Sequence, residues 1–325
     1  MYAHRRGHRV ATFTALFVTL LTLLLYQVAF AQGLGIGQRS FALVPAPTFR
    51  TSLHIPAARN GLRGDGKTDN TKAFRALLGA GNRSIEIAPG TYITGNLVIP
   101  RNTVLLLDPG VVIKDSGKLG PGDRLINIAD GNVYIQGRGA KILSDRQYYR
   151  GGEQRHGIFI YGASNVFIDG VESSDNSGDG FYVGGPTGKP AQNITLQNCI
   201  ARNNRRQGLS ITSAEHMKVV NCIFTHTQGT APAYGVDLEP NQPSDVLEDI
   251  HLIGIQTAEN YGGGILLALK RLNRSSPPIN IEISGHTSVA ENNPYTVLRP
   301  KDVRGTLTRN LSRSTVRPPR LRSVP

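Results

Sequence analysis

Cysteine is almost absent from this chain: Cys199 and Cys222 are the two examples among 325 residues. So small a supply gives no support to a thiolate metal site. Neither residue belongs to a Cys/His arrangement of the kind that activates a thiol, so thiol catalysis is not expected. Acidic residues are also scarce beside basic ones, 23 against 36, for a formal net charge of +13. That excess is badly distributed for gripping nucleic acid. Three of the charges fall in the first 31 residues and six in 300–325, where seven bases face Asp302, so the body carries only about +4. No nucleic-acid partner is expected. Long apolar runs are confined to Val10–Phe30. With Arg5, Arg6 and Arg9 before it and Ala29-Phe30-Ala31 after it, this run predicts a cleaved signal peptide over 1–31, with an uncleaved anchor as the alternative. Once it is removed no stable membrane span remains, and the expected location is secreted, periplasmic or extracellular.

What the chain does have is repetition. Six short runs of alternating apolar residues begin at Val133, Val166, Ile194, Met217, Ile250 and Ile281. Each is followed by one member of the column Gly137, Gly170, Asn198, Asn221, Gly254 and Gly285. Glycine and asparagine accept a left-handed backbone at least cost, so the column marks one repeated turn. From Gly170 onward its spacings are 28, 23, 33 and 31 residues. Periods of that size on strand-type patterning predict a solenoid whose coils share one core. Cys199 and Cys222 each follow the asparagine of this turn, which predicts that they stack in adjacent coils as buried thiols, or as a disulfide given the exported context.

A second strand in each coil starts at a glycine: Gly157, Gly180, Gly208, Gly235 and Gly264. Alternation turns Ile158/Ile160, Phe181/Val183, Leu209/Ile211, Val236/Leu238 and Ile265/Leu267 inward. Phe159, Tyr161, Tyr182, Ser210, Thr212, Asp237 and Glu239 then face outward on one sheet.

Ahead of the repeats, Gly64-Asp65-Gly66-Lys67-Thr68-Asp69-Asn70-Thr71 opens a short amphipathic helix that closes at Gly79. With this segment the chain resembles the pectate-lyase and polygalacturonase superfamily of right-handed parallel β-helices. The resemblance covers about Asn60 to Asn293 and implies an all-β, right-handed, single-stranded parallel β-helix (the pectin-lyase-like fold) with an N-terminal capping helix. The expected organisation is a signal peptide over 1–31, a linker over 32–50, the β-helix over 51–299 and a basic, disordered tail over 300–325. In the resembled family the outward sheet floors a glycan-binding groove.

On that floor the exposed aromatics Phe159, Tyr161 and Tyr182 are candidates for stacking on sugar rings, with Ser210 and Thr212 as hydroxyl partners. Asp237 and Glu239 lie two residues apart on one strand face, about 6.6 Å between Cα atoms. That falls near the window of about 6.5–9.5 Å for an acid and a base that leave room for water, as in an inverting glycosidase. Arg205 and Arg206 in the preceding turn offer a fork for a uronate carboxylate, or Arg206 could pair with Asp237 instead. Asp179 precedes its glycine as in polygalacturonase motifs, but Gly-His-Gly and Arg-Ile-Lys segments are missing. Tyr234-Gly235-Val236-Asp237-Leu238-Glu239 resembles the Tyr-Gly-Phe-Asp-Pro-His motif of mannuronan epimerases, with Leu238 and Glu239 departing from it. That likeness implies proton chemistry by Tyr234 and Asp237. Carboxylates at Asp175, Asp179, Asp237 and Glu239 could hold Ca2+, as uronate lyases of this fold often do, although no compact calcium-loop spacing is present.

The expected activity is therefore that of an exported lyase or epimerase on an acidic polysaccharide such as pectate or alginate. The alternatives are a glycoside hydrolase using the paired carboxylates and a non-catalytic, glycan-binding or structural solenoid.

Overall fold

The computed structural model describes residues 41–144, 146 and 151–310, and the backbone of Thr315–Val316. Its strands wind as coils of a parallel solenoid. One sheet stacks Leu97–Val98, Ile126–Ile128, Ile158–Tyr161, Phe181–Gly184, Leu209–Ile211, Tyr234–Leu238, Gly263–Ala268 and Tyr295–Leu298 in sequence order. The register aligns Ile158, Phe181, Leu209, Val236 and Ile265 across neighbouring strands, so one apolar column repeats through the coils. All ten residues expected to face inward are fully buried. Continuous stacking of such columns supplies most of the burial that holds a solenoid together.

The turn column is left-handed at Gly170, Asn198, Asn221, Gly254 and Gly285. Gly137 departs from it. There the strand Val133–Leu143 runs straight through, its register shifts against Ser164–Ser174, and the positive φ falls on Arg138 and Gly139 instead. Gly137 is small for another reason: a Cβ on it would lie 2.6 Å from the Gly170 carbonyl oxygen. A second left-handed column sits just before the apolar runs. Asn102, Asn132, Asn165 and Asn193 form an amide ladder with rungs of 2.9, 3.0 and 3.1 Å, and His216 to Asp249 continues it at 2.8 Å.

Cys199 and Cys222 are free, fully buried thiols in adjacent coils, with the Cys199 amide 3.4 Å from the Cys222 sulfur. The expected cap forms as the helix Thr71–Leu78, which buries Phe74, Leu77 and Leu78 over the first coils. Asp69 accepts from the Thr71 amide at 3.0 Å and so caps the helix one position before Asn70. Asp65 accepts from the amides of Lys67 and Thr68, so the Gly-Asp-Gly turn satisfies its own carboxylate.

Two boundaries differ from expectation. Residues 41–50, expected as linker, lie along the solenoid. The amide and carbonyl of Phe41 pair with the Asn221 side chain at 3.0 and 2.9 Å, the Val44 amide donates to Gln197, and Phe49 stacks on Tyr134 at 5.7 Å. Asparagine and glutamine side chains can serve an extended backbone as a neighbouring strand would, which explains why this segment adheres. At the other end Gly305–Asn310 pairs in parallel with Ile279–Ser284, and Thr315–Val316 with Ser288–Val289, so the coils continue past 300. The expected signal peptide and the remainder of the linker and tail lie outside the described residues. Among the described residues no helix is long and apolar enough to cross a membrane.

Candidate functional site

Turns between coils bring the candidate residues to the outer face of the eight-stranded sheet. Asn176 and Asn204 occupy equivalent places in successive turns, and the side-chain oxygen Oδ1 of Asn204 accepts from both the backbone amide and the side-chain amide of Asn176. The Arg206 amide then donates to the Gly178 carbonyl at 3.2 Å. Pinned in this way, Arg206 lays its side chain over the sheet, with 14% of its side-chain surface exposed.

Carboxylates surround it. One terminal nitrogen of Arg206 lies 3.1 Å from Asp179 and 3.2 Å from the Ser210 hydroxyl, and the other lies 3.1 Å from Glu239. Its Nε is 3.3 Å from a Glu153 oxygen, an ion pair without hydrogen-bond alignment. Burial works against the guanidinium charge, but Asp179, then Glu239, Asp237 and Glu153 outweigh it and raise its pKa further. The ion-pair partners of Arg206 are Asp179, Glu239 and Glu153, and not the Asp237 offered as an alternative. Asp237 takes a 2.9 Å hydrogen bond from the Gln207 side chain, whose carbonyl accepts from the Tyr234 amide at 2.7 Å.

The two aspartates are fully buried, which alternation alone did not anticipate. Burial raises the Asp179 pKa even though Arg206 pulls it down. Burial pushes Asp237 well above the usual carboxylate range, and the neighbouring Glu239 and Asp179 add to the effect. Besides the Gln207 amide, the Asp237 carboxyl meets the carboxyl of Glu239. Glu239, by contrast, leaves 38% of its side chain exposed. The arrangement is a buried acid whose surroundings favour its neutral form, beside a partly exposed carboxyl group, and two such groups are what general acid–base chemistry uses.

His156 was missed by sequence reasoning. It precedes Gly157 as Asp179 precedes Gly180, and that shared position was the available signal. Its Nδ1 accepts from the Asp179 amide at 3.0 Å, which places the ring proton on Nε2, and burial holds its pKa well below the ordinary value. Nε2 has no partner.

Several expected substrate contacts are already used internally. His156 stacks on Phe159 and Tyr182 at 5.7 and 4.9 Å, and Phe159 stacks on Tyr161 at 5.1 Å. Arg124 lies 4.2 Å above the Phe159 ring. The ring faces that were to receive sugars therefore meet one another. Ser210 is covered by Arg206, and Thr212 is buried against the Tyr182 hydroxyl at 3.1 Å. Arg205 turns its guanidinium toward the carbonyl oxygens of Gly151 and Gly152 rather than the sheet floor. Tyr234 is buried, and its hydroxyl meets Thr296 at 3.1 Å, two strands beyond Asp237 in the sheet.

Calcium does not fit this donor set as arranged. Asp179 and Glu239 hold Arg206, Asp237 holds Gln207, and Asp175 accepts from Asn203. Among the described residues no group of three or more His, Cys, Asp or Glu is disposed to hold a metal ion.

Comparison with known proteins decides the architecture. Residues 85–246 match the family model described as right handed beta helix region. The chain is a right-handed β-helix protein. It is 28% identical to the uncharacterized protein YclG of Bacillus subtilis, over 66% of this chain and 44% of that protein. The β-helix also superposes on the N-terminal fragment of gene product 12 of bacteriophage phi29, with a TM-score of 0.58, 19% identity, and coverage of 74% and 42%. A galactohydrolase whose named substrate is a sulfated galactose polymer gives a TM-score of 0.53 at 14% identity, covering 81% of this chain and 64% of that one. Both structural likenesses concern the fold. The chain spans less than half the length of the curated relatives it matches.

Proposed function

We propose that this β-helix protein is an exported glycoside hydrolase whose groove acts at Asp237 and Glu239. One observation carries the reading: a fully buried carboxyl, Asp237, whose surroundings raise its pKa and favour its neutral form, beside the solvent-facing carboxyl of Glu239 two residues along the chain. Asp237 gives its proton to the glycosidic oxygen as the bond to the anomeric carbon breaks. Glu239, whose carboxyl meets that of Asp237 in this structure, would first part from it, then take a proton from water as the water oxygen attacks that carbon from the opposite face, leaving a new reducing end. Access to Asp237 requires the cover over it, including Arg206, to shift.

Hydrolysis replaces the lyase or epimerase expectation for a physical reason. Proton abstraction beside a uronate needs a cation free to receive the substrate carboxylate, and the nitrogens of Arg206 already face Asp179, Glu239 and Glu153. A screen of anionic, neutral and amino-bearing polysaccharides, with and without calcium, tests this. New reducing ends without an ultraviolet-absorbing unsaturated product support hydrolysis, and an unsaturated product overturns it.

The complete burial of Asp179 and Asp237 and the mutual stacking of the aromatic faces favour a second reading, a non-catalytic glycan-binding or structural solenoid. That reading requires binding with no product of either kind.

A further inference from the structure

Beside the cap, away from the Arg206 cluster, lies a cavity of about 330 Å³. Its walls are the capping helix with the residues leading into it, the turn before the strand Leu97–Val98, and the turn after Val111–Asp115. That volume falls within the range of small-ligand pockets. Polar contacts fix the three walls. The Thr71 hydroxyl accepts from the Gly95 amide at 2.6 Å, Arg75 donates through Nη2 to the Asn96 carbonyl at 3.0 Å, and Lys118 reaches Asp69 at 3.0 Å. The Asn96 side-chain amide donates to the Arg124 carbonyl at 2.9 Å, and Asp123 accepts through Oδ2 from the Gly120 amide at 2.7 Å. Three of these side chains are thus held by one polar atom and leave another without a protein partner among the described residues: Nε and Nη1 of Arg75, Oδ1 of Asn96 and Oδ1 of Asp123. Wall groups held in place before binding lose little freedom on receiving a ligand. In the lining Arg75 and Lys118 are balanced by Asp69 and Asp123, and Leu119 is the only large apolar side chain.

The cavity and the Arg206 cluster share one row of turns. Leu97, Ile126, Ile158, Phe181, Leu209 and Val236 align strand by strand, so Asn96 takes the place in its coil that Gly180 and Gly208 take in theirs. Five strand spacings separate Leu97 from Val236, about 24 Å along the axis. We infer that the cavity binds a neutral hexose unit of a polysaccharide, at a distance from Asp237 that one sugar cannot bridge and a chain of several can. A hydroxyl donates and accepts at once, so a sugar can meet the unpaired atoms of Arg75, Asn96 and Asp123 together. A uronate carboxylate or a protonated amine finds both signs of charge in the wall, and meets repulsion along with its attraction. The inference rests on the glycan reading of this protein, but it concerns binding at the cap and is independent of cleavage.

The test is calorimetric binding of hexasaccharides of glucose, mannose, galactose and galacturonate to the full chain, at about 0.15 M ionic strength so that the general positive charge of the protein is screened. The parent is compared with Ser116→Trp, which fills the cavity, and with Arg75→Met, which removes its unpaired donors and keeps the stem. Melting temperatures show that each variant is folded. At least one neutral hexasaccharide is expected to bind more tightly than the galacturonate, and to lose about tenfold or more in affinity in each variant. No binding of any neutral hexasaccharide, tighter binding of the galacturonate, or an affinity unchanged in both variants overturns the inference. Asp237→Asn separates the two places: neutral binding that this change abolishes and the cavity variants leave intact overturns the inference while the hydrolase reading stands. Binding lost in the cavity variants, with no cleavage of any polymer by the parent, sinks the hydrolase reading alone.

Discussion

Phe41 lies directly over Gly285: a Cβ built on that glycine would come within 2.1 Å of the phenylalanine ring. Gly254 meets the same ring, with a built Cβ 2.5 Å from it. Two glycines that mark the repeated turn therefore also form the seat of a segment far away in the chain. Gly285→Ala should destabilise the fold by about 1–3 kcal/mol, from its left-handed φ of 67° and from displacing the ring. In a Phe41→Ala background the same change should cost measurably less. Urea unfolding of the two single variants and the double variant gives the coupling, and strictly additive effects would contradict the contact.

Arg206 compensates the buried Asp179 carboxylate. Arg206→Gln is expected to cost about 3–5 kcal/mol, the usual penalty for leaving one partner of a buried ion pair alone. Asp179→Asn added to it should recover part of the loss. Denaturation midpoints check both statements, and a neutral single variant would show that Asp179 does not depend on this arginine.

Asp237 makes an opposite and more telling prediction. Its folded pKa stands above the unfolded value of 3.8, so the folded state holds a proton that the unfolded chain releases as pH rises past about that value. The parent should lose stability across that rise, until the folded group itself ionises. Asp237→Asn should lack this loss, so melting temperatures measured against pH should diverge in favour of the variant. Parallel curves would mean that Asp237 is not held protonated.

His286 is buried and its pKa is lowered to about 3, by burial first and by Arg309 second. Its contribution is complete above the unfolded value of 6.5 and is lost as pH falls toward about 3, with a slope of up to about 1.4 kcal/mol per pH unit. His286→Gln should flatten that part of the stability profile relative to the parent. An unchanged slope would place the proton elsewhere.

The repeats were legible in the sequence because solenoid strands alternate strictly. One column of glycine and asparagine fixed the register well enough to sort all ten inward residues and to stack Cys199 on Cys222. Alternation, however, reports a direction and not a cover. Asp237 and Ser210 do leave the core on the expected face, yet turn residues from other coils close over them, and a turn's side-chain path has no period to read. His156 and Gln207 escaped for the same reason, since each sits in a turn just before a strand-opening glycine. The seat of Phe41 was invisible because its partners lie 180 residues or more along the chain.

The most direct test of the account is a product assay on a cleaved polysaccharide, comparing the parent with Asp237→Asn. Hydrolysis at Asp237 should give new reducing ends without ultraviolet-absorbing product, and a loss of about 10²-fold or more in a variant that remains folded. An unsaturated product, or full activity in Asp237→Asn, would contradict it.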